Sequence, residues 1–203
     1  MSSASKAKFD TLLLRSDSLS SVAGGIRKKS DSATKTLLLH AALATQVAAW
    51  EVYVKGVAGE YFAVTTKTAD SSFSSLHELL QDRMKAAAKK LNTPNSFNSR
   101  EFLMTYTGFD PWSSWTGAKF GSTVFSNALL SRSRLDEILA LRHSFAHGFT
   151  MPAHSWNVNT GGAAHLDCRI VRDCGRFFSD ICHRTDSAFS NHIHQQHAIA
   201  KPW

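Results

Sequence analysis

The chain has little cysteine, no long uncharged apolar run and none of the common catalytic signatures, and each lack removes a class of protein. Its three cysteines, Cys168, Cys174 and Cys182, are odd in number and fall in one stretch of helical periodicity. Without close pairing they make neither a disulfide framework nor a zinc motif. They read as small core-facing residues of a protein kept in a reducing cytoplasm. No run of about 18 uncharged apolar residues stands out, so no membrane span is expected. The first residues, MSSASKAKFD, meet an acid before any apolar core and do not read as a secretory signal. There is no P-loop, no glycine-rich dinucleotide turn, no zincin motif and no Gly-x-Ser-x-Gly elbow, which removes most of the common enzyme classes. Period-two alternation is missing throughout, which argues against sheet.

What is present is a chain of 203 residues with 43% hydrophobic content, long enough for one domain with a substantial core. The expectation is a single domain over 1–203, with flexible ends at 1–5 and 195–203. Lys and Arg number 23 against 16 Asp and Glu, giving +7 and a pI near 9.5. That balance favours a polyanionic partner such as RNA.

Helical spacing accounts for nearly all of the apolar residues, so the fold class is all-α: a bundle of about five or six helices with long central and C-terminal helices. A first helix carries Phe9, Leu12, Leu13, Val22 and Ile26 and frays at Gly24 and Gly25, before the basic trio Arg27, Lys28 and Lys29. The trio is either solvated surface or a weak phosphate contact. A second helix starts at Asp31 or Ser32 and reaches about residue 64. It is apolar around most of its circumference, as a buried spine is. Gly56 and Gly59 in it cost helix propensity and imply close approach of another helix. The capping box Ser75-x-x-Glu78 predicts a third helix over 75–91, and Asn98 with Glu101 a short fourth that Gly108 ends. Trp112 and Trp115 mark an aromatic loop, placed over the core edge rather than against a nucleobase. A helix or helix pair is expected over 122–147, with a break and cap at Ser131 or Ser133, and a last helix over 164–193. His192, His194 and His197 then fall in a polar tail, with a soft-metal site as the alternative.

The stretch LRHSFAHGF is the centre of interest. At about 100° per residue, Leu135, Ile138, Leu139, Leu141 and Phe145 form one stripe with Arg142 inside it. His143, His147 and Asp136 line its edge. A cation in a burying face needs a partner or a purpose. Either Arg142 is structural, with Glu51 on the second helix as the candidate partner, or it clamps phosphate oxygens while His147 moves a proton. Glu51 is equally compatible with facing solvent.

The Arg-His-x3-His pattern at Arg142, His143 and His147 resembles the signature of the HEPN superfamily. The surroundings extend the likeness: the long helix with WEVYVKGVAGEYF, the LNTPN turn, the loop from Trp112 to Trp115 and a long final helix follow the order of RiboL-PSP-type HEPN domains, over about residues 5–195. The resemblance implies an α-helical homodimer with two motifs meeting at the interface. It also implies a metal-independent endoribonuclease that needs no cofactor and acts on RNA, often as a toxin of bacterial toxin–antitoxin or phage-defence systems with a cognate antitoxin. Arg142 and His147 would be catalytic, with His143 and Glu51 orienting them; His143 stands where the pattern more often has Asn. Non-catalytic HEPN modules that bind RNA or a protein partner also exist. The position of the motif by a helix C-terminus, with its partial negative charge, opposes a phosphate there.

Overall fold

The structure, a computed structural model, describes residues 2–66 and 71–203. Among them are six α-helices: α1 (Ala4–Gly25), α2 (Ser32–Thr65), α3 (Ser71–Lys90), α4 (Ser96–Thr107), α5 (Ala128–Ala146) and α6 (Cys168–His197). A two-residue hairpin, β1 (Lys119–Phe120) and β2 (Thr123–Val124), sits between α4 and α5. The fold is the all-α bundle expected.

α2 is the spine. Trp50, Tyr53, Val54, Val57 and Ala58 are fully enclosed, and Phe9, Phe178 and Phe189 close over them from α1 and α6. By length and composition alone this helix passes for a membrane-crossing one, against the expectation from sequence. Its apolarity is accounted for by the helices packed around it. α1 runs beside α2, anchored by Ser5, whose N–H (2.6 Å) and hydroxyl both donate to Glu60.

Gly56 lets that anchor form: a Cβ there would lie 3.1 Å from Ser5 Cβ and closer still to its hydroxyl. Gly59, expected to play the same part, has nothing within 4 Å of its Cβ position. The two glycines therefore predict opposite outcomes. Gly59→Ala should stabilise by up to about 1 kcal/mol through helix propensity. Gly56→Ala should lose about 1–2 kcal/mol net, because overpacking outweighs that gain. Urea melts of the two variants check both signs.

Several boundaries differ from expectation. α3 starts at Ser71, not at Ser75; Phe73 meets His77 one turn later (5.6 Å between centroids), which extends the helix towards its start. The hairpin occupies the first residues assigned to a helix over 122–147, because two-residue strands are too short to show alternation. α5 starts at Ala128, capped by Asn127, whose side chain accepts from Leu130 N (3.1 Å). Ser131 is no cap; its hydroxyl donates to Trp115 O (2.8 Å) inside the core. Both ends of the described chain are packed. Ser3 caps α1 and donates to Asp186, and Trp203 Nε1 donates to Asp186 O (3.1 Å).

Candidate functional site

α5 carries the motif to the edge of the core. Leu135, Ile138, Leu139 and Leu141 are buried as the stripe requires, and Phe145 is half-buried. Arg142, in the middle of that stripe, lies where the helix runs past its packing partners. It is half-buried, lines an open cleft of ≈ 910 Å³, and makes no hydrogen bond or ion pair among the described residues.

Glu51 lines the same cleft but does not pair with Arg142. One oxygen accepts from Lys55 Nζ (2.6 Å) and the other from Thr93 N (3.0 Å). Its role is to hold the α3–α4 turn. That turn needs holding, because Thr93 has φ +48°, a left-handed conformation that a β-branched residue adopts only under constraint. Trp50 Nε1 donates to Pro94 O (2.9 Å), and Ser96 donates from N and Oγ to Asp136 (2.8 Å each). The carboxylates of Glu51 and Asp136 are thus spent on building the wall opposite α5.

The histidines stand at the mouth. His143 and His147 are exposed, with ring centroids 4.2 Å apart. Gly148 (φ +68°) ends the helix: Gly148 N donates to Phe145 O (3.4 Å) and Phe149 N to Ser144 O (2.8 Å), the paired closure of a Schellman cap. With those carbonyls satisfied by backbone, the negative end of the helix is blunted where a phosphate would approach. The cap also sets Phe149 beside both imidazoles, 5.8 Å from His147 and 6.1 Å from His143, with 64% of its surface exposed. Sequence reasoning passed over Phe149, because the helical period stops at Gly148. The signal available was position: an aromatic directly after a left-handed glycine cap points back to the last turn.

Behind the motif, His40 of α2 lies flat on Phe145, with centroids 3.5 Å apart and 9° between planes. Its Nε2 is enclosed without a partner, and burial pushes its pKa below the ordinary 6.5. Above pH 6.5 folded and unfolded chains both hold it neutral. As pH falls below 6.5 the unfolded chain takes up the proton first, so stability is lost downward from that point. Wild type should therefore lose more melting temperature than His40→Phe between about pH 7.5 and about pH 5.5. Equal losses would show that His40 is not the group responsible.

The remaining candidates fall elsewhere. α6 continues through the expected tail to His197, so the three histidines are helical and engaged separately: His192 with Thr107 O (3.2 Å), His194 with Ile199 O, and His197 with Tyr61 Oη (3.0 Å). Among the described residues no group of three or more His, Cys, Asp or Glu is placed to hold a metal ion. Trp115 is core, and Trp112 packs under the guanidiniums of Arg132 (3.3 Å) and Arg100 (4.6 Å). Cys174 and Cys182 are buried, and burial pushes both thiols far up.

An all-α bundle that presents Arg-His-x3-His at the open end of its fifth helix is an HEPN-type domain. The family model described as RiboL-PSP-HEPN matches residues 10–191, nearly the whole chain, and the protein belongs to that family. No curated protein and no solved structure gives a significant match.

Proposed function

We propose that this protein is a metal-independent endoribonuclease that cuts single-stranded RNA by attack of the 2′-OH, leaving 2′,3′-cyclic phosphate and 5′-OH ends. The observation that carries the reading is Arg142: a guanidinium without a protein partner among the described residues, in one cleft with His143 and His147. The neighbouring carboxylates do not neutralise it, since Glu51 and Asp136 are engaged by Lys55, Thr93 and Ser96.

The reaction needs a base for the 2′-OH proton, charge stabilisation at phosphorus and an acid for the departing 5′-oxygen. Arg142 offers a planar fork for two phosphate oxygens. His147 offers a group suited to proton transfer near neutral pH. One imidazole does not serve both sides of an in-line displacement, so the proposed active form is a homodimer in which a second His147 supplies the other transfer. His143 is the positioning residue beside it, and Phe149 offers a face on which a flanking base can stack. Toxin-like action, restrained by an antitoxin protein, fits such an enzyme.

Purified protein in chelator should cut single-stranded RNA, and His147→Ala should lower the rate by at least about 100-fold while RNA binding persists. Expression of wild type, but not His147→Ala, should arrest growth. Cleavage that survives His147→Ala, or ends lacking the cyclic phosphate, would sink the proposal.

A further inference from the structure

A second basic region lies outside the motif cleft. Arg169, Arg172 and Arg176 lie within about 60° of arc on α6 and span about 10 Å along it. All three are exposed, and none makes an ion pair or hydrogen bond among the described residues. They occupy the first turns of a 30-residue helix, where the backbone dipole is already positive and carboxylates would be favoured, yet the first turn holds no acid. Of the three, Arg169 lies in the first turn, where the dipole opposes a cation and a bound anion would offset it. The nearby carboxylates form no ion pair with these arginines among the described residues: Asp167 caps the helix by accepting from Ile170 N (2.7 Å), and an Asp173 oxygen lies 3.3 Å from the Cβ position of Gly121 in the hairpin. Asp17, on α1, is the one acid among the described residues that lines the cleft between α1 and α6 beside Arg172 and Arg176.

Packing brings the end of α1, which the basic trio follows, to the start of α6. Cys168 Sγ donates to Ser20 O (3.7 Å) and lies 3.7 Å from the Cβ position of Gly24, so the end of α1 abuts the start of α6. Arg27, Lys28 and Lys29 follow directly, all exposed and without ion pairs among the described residues. Between the two helices lies a cleft of ≈ 630 Å³, where the hydroxyls of Ser20, Ser21 and Ser179 join Arg172 and Arg176 as neutral donors. Its walls are α1 and α6, whereas the motif cleft is built from α2, the α3–α4 turn, α5 and the segment after it.

We infer that this face is a second RNA-binding surface, which holds backbone phosphates of the strand away from the motif. The choice of RNA over another polyanion rests on the proposed function; the clustering of unpaired cations does not. Full-length His147→Ala protein, binding a labelled single-stranded RNA across a salt series, provides the test. The triple variant R169Q/R172Q/R176Q should weaken binding at least tenfold near 0.1 M salt. It should also flatten the slope of log K against log salt by about 2, at about 0.7 per lost phosphate contact. K8Q/R83Q/K85Q removes the same charge from other exposed sites and should leave binding within about threefold and the slope almost unchanged. Equal effects of the two triples, no effect of the first, or arginine-dependent binding of phosphatidylserine vesicles without RNA binding would overturn the inference. The measurement reads binding alone, so it stands apart from whether wild type cleaves.

Discussion

Arg142→Lys should lower RNA cleavage by about 100- to 1,000-fold, the loss typical when one preorganised donor to a developing charge is removed. The substitution keeps the charge, so an arginine needed only to attract RNA would be replaced with little loss. A guanidinium offers two parallel N–H donors in a fixed plane, whereas an ammonium is a point charge that cannot bridge two phosphate oxygens in the same way. Stability should move by no more than about 0.5 kcal/mol, because Arg142 holds nothing in place: it has no partner among the described residues and its cleft is open. The expected signature is a fall in kcat with KM nearly constant, which marks an interaction made in the transition state rather than in the bound substrate. A lysine variant within a few-fold of wild type would remove Arg142 from the chemistry and leave it a steering charge.

The motif was legible in the sequence because helical geometry is local. The periodicity of α5 put Arg142 among Leu135, Ile138, Leu139 and Leu141, and those leucines and the isoleucine are buried. What periodicity does not say is where a helix outruns its partners, and that decides whether a cation in the stripe is paired or presented. Glu51 was offered as the partner of Arg142, but its actual partners, Lys55 one turn on and Thr93 across a turn, depend on tertiary placement. The left-handed Thr93 could not be read from residue type, since β-branched residues avoid that conformation. The hairpin escaped for want of length, and the final helix ran four residues past its expected end because His194 and His197 find contacts at Ile199 and Tyr61. The second basic face combines trios from two segments about 140 residues apart in the chain, each a weak signal by itself.

Trp115→Ala should be the most destabilising single change in the core, by about 3–5 kcal/mol. That corresponds to a drop in melting temperature of about 6–20 °C for a chain of this size. Trp115 is fully buried. Its ring meets Trp50 of the spine edge-on at 5.9 Å, its Nε1 donates to Thr185 Oγ1 of α6 (2.8 Å), and its carbonyl accepts from Ser131 of α5 (2.8 Å). One residue therefore ties three helices together, and the short turn carrying it (Trp112–Trp115) has no other means of filling the space the indole leaves. The polar side of the loss is smaller, because Thr185 keeps its own bond to Ile181 O (2.7 Å) when the indole is gone. Trp115→Phe retains most of the ring contact and forfeits one hydrogen bond, and should cost about 1–2 kcal/mol. The difference between the two variants separates cavity from hydrogen bond. An alanine variant within about 1 kcal/mol of wild type in urea melts would mean that the indole does not fill the core as described. The site is insulated from this loss: the Ser131 bond that fixes the start of α5 is made to the backbone carbonyl of residue 115, which alanine retains. Trp115→Ala should therefore leave cleavage within a few-fold of wild type at temperatures where the variant remains folded, whereas Arg142→Lys weakens it in a protein of nearly unchanged stability.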